Sequence, residues 1–166
     1  YENGKNKLNL VLTYTDNYSS SIVPYVNTGL TDSGPHITQF KTILTREMNK
    51  FFREKGWLKE KDSNLSGDDC QEGLYVVFNI TTQGVSYDAQ TKSRIVKLDM
   101  SPFNSVIADE LRNWFATNEK ELKIEVEGNK YTLEKSHRDC FELEEFIDTY
   151  TDYFNPFDYI VGDYSY

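Results

Sequence analysis

Basic charge is in short supply in this sequence: 18 Lys and Arg stand against 27 Asp and Glu, a net charge of −9 over 166 residues. A surface that binds nucleic-acid backbones irrespective of sequence needs a basic excess, so the chain as a whole is excluded from that class, although a local basic patch is not. Histidine and cysteine are scarce too, with two of each. Cys70 and Cys140 lie far apart, without the paired spacing of a zinc site or a redox motif, and both read as free thiols. His36 and His137 have no nucleophile or carboxylate constellation beside them, so a catalytic role is set aside for a structural one. No apolar run approaches the roughly 20 residues that span a bilayer, and no signal-peptide pattern opens the chain. A soluble protein with no membrane partner is expected.

What is present is apolar mass: 38% hydrophobic residues and 14% aromatic, with 12 Tyr and 10 Phe. That is too much for a disordered chain and enough for one ordinary domain with a small appendage. Charge is unevenly spread. Lys41, Arg46, Lys50, Arg53, Lys55, Lys59 and Lys61 cluster within twenty-one positions, whereas residues 139–163 are strongly acidic.

The run Leu8 to Tyr14 and the run Ser21 to Val26 read as strands, the second favouring a sheet edge because Pro24 has no N–H to donate. After the turn-rich stretch 27–34, Ile37, Phe40, Ile43, Leu44, Met48, Phe51 and Phe52 recur at helical spacing and predict a long helix ending near Gly56, with Arg53 and Lys55 near its negative terminus. Residues 57–65 read as charged loop. Ser66 followed by Asp69 has the form of a capping box opening a single turn that Gly73 closes. Leu74 to Thr81 is the clearest strand, and 94–98 the next. Ser101 as N-cap with Pro102 at the first helical position predicts a second long helix, with an apolar face of Phe103, Val106, Ile107, Leu111, Trp114 and Phe115.

From Leu122 the grammar changes to a hairpin that turns at Gly128-Asn129, a helix opened by Asp139 and Glu142 and stopped by Pro156, and a short strand at 159–162. The order β-β-α-turn-β-β-α, then β-β-α-β, predicts an α+β protein divided between Asn118 and Ile124 into segments 1–122 and 123–166.

Between two strand-like runs lies Gln90-Thr91-Lys92. A lysine held at a loop tip can reach a phosphate and neutralise charge on a transferring phosphoryl group, while a glutamine amide donates a directional hydrogen bond. Nothing else in the sequence could bind a nucleotide. The chain therefore reads as one half of a divided active site.

Several ordered motifs carry a resemblance over about residues 8–122. They are Tyr14-Thr15-Asp16-Asn17-Tyr18-Ser19, then Val26-Asn27-Thr28 with Gly34-Pro35-His36, then Phe40-Lys41-Thr42-Ile43-Leu44-Thr45-Arg46. Leu65-Ser66-Gly67-Asp68-Asp69-Cys70-Gln71-Glu72-Gly73-Leu74 and Gln90-Thr91-Lys92 complete the set. Together they resemble the transducer domain of type II DNA topoisomerases of the gyrase-B kind, with wording closest to T-even-like phage large subunits.

The resemblance implies a two-layer sandwich on a four-stranded sheet with a left-handed β-α-β crossover, a ribosomal-protein-like transducer fold. It also implies that Gln90 and Lys92, with Thr91 between them, contact the γ-phosphate of ATP, held with Mg in a neighbouring GHKL ATPase domain. Lys41, directly after Phe40, would face the central DNA cavity. The implied partners are that ATPase domain, a cleavage and religation subunit, DNA, and a second copy in a dimeric intact enzyme in the bacterial or phage-infected cytoplasm. No cofactor is expected for the fragment alone, and it would not be catalytic by itself.

Two departures touch only the turn and the helix surface: Ser33-Gly34-Pro35-His36 replaces the usual Gly-Gly-Thr-His, and Gln39 replaces the Gly before the helix Phe. A related GHKL-linked domain of mismatch-repair or chaperone proteins shares the architecture, but the 66–74 and 90–92 motifs favour a topoisomerase. Gly128 to Leu133, His137 to Phe141 and Tyr159 to Tyr164 resemble the start of the YutD-like family, and the tail looks truncated. Two unrelated segments suggest a fusion, and the competing reading of the whole is a non-enzymatic interaction module or engineered chimera retaining only the fold.

Overall fold

Apolar, β-branched and aromatic residues dominate two long runs, and these form the middle of the sheet. The computed structural model describes residues 1–15, 17–119, 122–127 and 130–134, of which 123–134 through their backbone. Strand β1 (Glu2–Asn3) turns back onto β2 (Asn6–Tyr14), and then come β3 (Ser21–Val26), β4 (Gly29–Leu30), helix α1 (Pro35–Glu54), the short α2 (Gly67–Gln71) and β5 (Leu74–Thr81). The hairpin β6 (Ser86–Tyr87) and β7 (Ile95–Lys97) precedes α3 (Ser101–Thr117), and β8 (Lys123–Glu127) pairs with β9 (Lys130–Glu134).

The first five strands make one mixed sheet in the order β1-β2-β5-β3-β4. β2 runs antiparallel to β5, with Leu8 opposite Ile80 and Tyr14 opposite Leu74. β3 runs parallel to β5, with Ser21 opposite Tyr75 and Val26 opposite Ile80. A parallel neighbour cannot be reached by a tight turn, and here α1 and α2 make the crossover. The sheet thus has five strands rather than four, because β1 and β4 add a two-residue strip to each edge. Pro24 sits on β3, which is not the edge strand expected from its missing N–H but lies one strand in, between β5 and the short β4. Its carbonyl accepts the Thr31 amide at 2.9 Å and the Thr31 hydroxyl at 3.1 Å. In an extended strand a residue's N–H and C=O point the same way, so the missing donor faces the outer flank, where β4 pairs only with Tyr25 and Val26.

β5 shows the two-residue period of a sheet with distinct faces. Leu74, Val76, Phe78 and Ile80 join the main core with the apolar sides of α1 and α3, while Tyr75 and Val77 pack with Tyr25 on the other face. Phe40 of α1 lies 5.6 Å from Phe78 and Phe51 lies 5.7 Å from Phe115 of α3, ring centre to ring centre. Full burial of side chains this size contributes about 1.5–3 kcal/mol each. The expected helical stripes hold, with Ile37, Val106 and Trp114 at their half-buried margins. Tyr14 donates its phenol to the Cys70 carbonyl at 2.6 Å and ties β2 to α2.

The helix termini partly correct the sequence reading. Ser66 and Asp69 form the capping box on α2 as expected. Ser101 is not the N-cap of α3 but its first residue. The Asp99 carboxylate accepts the Ser101 N–H at 3.0 Å, and the Ser101 hydroxyl, together with that N–H, holds the Asp99 carboxyl below its usual value. Strand β7 is shorter than 94–98. The hairpin read beyond Leu122 is present as β8 and β9, from Lys123 opposite Glu134 to Glu127 opposite Lys130. Its Gly128-Asn129 turn, Cys140, His137, the helix opened by Asp139 and the strand at 159–162 lie outside the described residues.

Cys70 is fully buried, and its burial, with Asp69 nearby, pushes the thiol up to about 12 despite a bond from Thr45. A neutral buried thiol is a poor nucleophile. In a Cys140→Ser background, Cys70 is expected to resist a thiol-specific disulfide reagent at pH 8 for hours and to react within minutes in denaturing urea. Prompt labelling of the folded chain would contradict this burial.

Candidate functional site

Gln90, Thr91 and Lys92 stand at the tip of the β6–β7 hairpin, and all three are exposed. The tip is a turn closed by the Lys92 amide donating to the Ala89 carbonyl at 3.1 Å, with Lys92 itself in the left-handed region at φ 57°. Below it the Asp88 amide donates to the Arg94 carbonyl at 3.2 Å, and the Asp88 carboxylate lies 3.9 Å from the Arg94 guanidinium. The Lys92 ammonium lies 5.9 Å from the centre of the Tyr87 ring. Among the described residues no carboxylate comes within ion-pair distance of it. An exposed cation on a braced hairpin, unneutralised by its own domain, is available to an anion supplied from outside.

The hairpin base is fastened to the turn that opens α1. The Asp32 amide donates to the Ser93 carbonyl at 2.7 Å, and the Ile95 amide donates to the Ser33 carbonyl at 2.9 Å. Ile95 is buried in the core between them. Gly34, the N-cap of α1, follows at once, and Pro35 starts the helix. Displacement of the hairpin would therefore pull on the first turn of α1 through backbone bonds.

Six residues further along α1, Lys41 is half-buried on the wall of an open cleft of about 710 Å³, which α1 forms with the 64–71 segment. Arg46, Lys50 and Arg53 line the same cleft. Three of these four cations have internal duties. Arg46 and Lys50 bind Glu47 at 2.7 and 3.4 Å, and Arg53 donates to the Lys59 and Asp62 carbonyls at 2.9 and 3.0 Å and to the Asn64 amide oxygen. Lys41 alone of the four has no such partner among the described residues. Arg53 lies in the last turn of α1 as expected, and from there it also grips the loop that follows.

Glu47 escaped the sequence reading. It is nearly fully buried, facing Arg112 of α3 at 3.5 Å as well as Arg46 and Lys50. Burial works to raise its pKa, but the Arg46 hydrogen bond and the Lys50 and Arg46 charges outweigh it and hold the carboxyl below its usual value. An acidic residue flanked by Arg46 and Lys50 on an otherwise apolar stripe was the available signal. His36, read as a loop residue, lies in the first turn of α1 and is buried against Phe78, so its structural role stands with the position corrected. Among the described residues no cluster of His, Cys, Asp or Glu could hold a metal, and no helix is long and apolar enough to cross a membrane.

The protein-family model for DNA gyrase B matches residues 1–135, and the YutD-like model matches residues 125–166. The DNA gyrase B protein of Thermotoga maritima is 33% identical over 126 residues, covering 74% of this chain and 20% of the relative. That of Mycobacterium tuberculosis is 30% identical over 122 residues, covering 72% and 18%. The chain spans about a fifth of the length of these curated relatives. The 43K ATPase domain of Thermus thermophilus gyrase B, solved with an aminocoumarin, superposes with a TM-score of 0.62 at 24% identity, over 72% of this chain and 32% of that one. The topoisomerase IV ATP-binding domain of Francisella tularensis, solved with a small-molecule inhibitor, superposes with a TM-score of 0.59 at 23% identity, covering 72% and 33%.

A mixed α+β sheet with this fold and these relatives defines a segment of a type II topoisomerase subunit. The chain belongs to the DNA gyrase B family.

Proposed function

We propose that this chain is the transducer segment of an ATP-dependent type II DNA topoisomerase, relaying nucleotide state from a neighbouring GHKL ATPase domain to DNA-strand passage. The observation that carries it is the exposed Gln90-Thr91-Lys92 tip on a hairpin hydrogen-bonded to the turn that opens α1. Lys92 and Gln90 suit the terminal phosphate of ATP, one by charge and one by a directional amide. In this reading the rest of the nucleotide and its Mg are held by the ATPase domain.

Contact with the γ-phosphate would hold the hairpin. Its loss on hydrolysis would free the hairpin and, through Asp32 and Ser33, the start of α1. Lys41 is the uncommitted cation on α1 and the candidate DNA contact. The left hand of the crossover, a dimeric intact enzyme and a cleavage subunit as partner belong to the same proposal. The 123–166 segment is taken as a separate YutD-like unit outside this machinery.

Joined to a gyrase-B-type ATPase domain and assembled with the cleavage subunit, the Lys92→Ala variant is expected to hydrolyse ATP at least tenfold more slowly, a loss of about 1.4 kcal/mol of transition-state stabilisation. Unchanged turnover would remove Lys92 from the site and the transducer reading with it.

A further inference from the structure

We infer that Tyr87 is the positioning residue for Lys92: its ring face holds the ammonium on one side of the hairpin before any phosphate arrives. The inference rests on the phosphate-sensing reading of Lys92 given above. An exposed lysine has four rotatable side-chain bonds and would otherwise sweep a wide cone, so a phosphate contact would have to order it.

Two constraints limit that sweep. The first is the backbone turn, closed by the Lys92 amide on the Ala89 carbonyl at 3.1 Å with Lys92 at φ 57°, which sends the side chain back over the hairpin. The second is the ring: the ammonium sits 5.9 Å from the Tyr87 centroid, inside the range at which an aromatic quadrupole attracts a cation.

Tyr87 is fit for this because it is anchored. It is half-buried and packed against the main core beside Val85, and it lies opposite Ile95 at a register shift in the β6–β7 ladder. Such an irregularity twists its strand locally and re-aims the side chain. Asp88, the one acidic residue in the hairpin sequence 86–97, is paired with Arg94 across the neck, and the ring is the contact made by the Lys92 ammonium. A ring neither neutralises nor strongly desolvates the ammonium, so the charge remains available to a phosphate. A carboxylate in the same place would compete with it.

Two measurements test this. In the full chain, the Lys92 side-chain methylene protons are expected to show an upfield ring-current shift that Tyr87→Phe retains and Tyr87→Leu abolishes. Identical shifts in wild type and Tyr87→Leu would overturn the contact. In the enzyme assembled with the ATPase domain, Tyr87→Leu is expected to lower kcat for ATP roughly two- to fivefold, the scale of an exposed cation–π contact, with KM unchanged and Tyr87→Phe restoring the rate. Unchanged or faster turnover, or a loss confined to KM, would overturn the positioning role.

Trifluorophenylalanine at position 87 covers the case in which Tyr87→Leu misfolds. It keeps the ring shape while weakening the quadrupole, and it is expected to lower kcat as Leu does. A wild-type rate with this ring would overturn the proposal. Failure of the transducer reading would look different: Lys92→Ala would leave turnover untouched, whatever the ring-current shifts showed.

Discussion

Asn49→Ala is expected to cost about 3 kcal/mol of unfolding free energy, more than any surface substitution in the chain. The Asn49 amide group donates to the Leu65 carbonyl at 3.0 Å and to the Thr45 carbonyl at 2.9 Å, and its oxygen accepts the Leu65 N–H at 2.7 Å. Both residues are buried. The side chain thus stands in for a paired strand, satisfying both backbone groups of Leu65 where no other strand is at hand. Alanine would leave that buried N–H and C=O without protein partners, and each such orphan costs about 1–3 kcal/mol. Urea unfolding followed by far-UV circular dichroism would give the loss, and a value below about 1 kcal/mol would mean that water or a shifted loop replaces the bonds. The consequence reaches the site, because Leu65 precedes the Ser66 cap of α2 and the 64–71 segment forms one wall of the Lys41 cleft.

That clamp explains where reading the sequence succeeds and where it stops. Phe40, Ile43, Leu44, Met48, Phe51 and Phe52 announce α1 because apolar burial repeats at the helical period, and Phe103, Ile107, Leu111 and Phe115 do the same for α3. Asn49 and Glu47 lie on the same buried side, yet they break the apolar pattern. The partner of Asn49, Leu65, comes from the loop beyond the helix, so nothing local marks Asn49, whereas Glu47 is marked only by the flanking Arg46 and Lys50, its remaining partner Arg112 coming from α3. The two-residue strands β1 and β4 are too short to show any period. The motif Gln90-Thr91-Lys92 is visible as a tip between strand-like runs. The bonds that give the tip a mechanical route, Asp32 to Ser93 and Ile95 to Ser33, join backbone groups some sixty positions apart and leave no trace in residue type. Tyr87 could have been noticed, since an aromatic five positions before a lysine across a hairpin is a cation–π candidate.

Lowering the pH from 6.5 to about 4 is expected to remove roughly 3 kcal/mol of stability through His36 alone. The Thr31 hydroxyl donates to the Pro24 carbonyl at 3.1 Å, so it can only accept from the histidine, and the 2.7 Å contact must carry the proton on Nε2. Nδ1 is then a buried acceptor, and no described group pairs with it. Protonation would create a cation with an undonated N–H in the core, and burial accordingly lowers the pKa to about 4. The unfolded chain takes up this proton below about 6.5 and the folded chain does not, so stability is complete above 6.5 and falls by about 1.4 kcal/mol per pH unit until about 4, where the fall ends.

Glu47 and Asp99, held below their usual values, begin to add losses only near the lower end of that window, and those losses continue below it. Urea midpoints between pH 7 and 4.5 should therefore fall steeply for the natural chain and much less for His36→Gln, whatever the absolute stability of the variant. Equal slopes would show that the slope comes from elsewhere. Gly34 keeps the arrangement in place. At φ 153°, a Cβ there would stand 2.8 Å from the His36 ring and 2.9 Å from the Ile95 Cβ, so the same turn seats the histidine and fastens the hairpin that carries Lys92. Acid that charges His36 should loosen this joint, and the exchange protection of the Ile95 amide should fall with the same pH midpoint as the global stability.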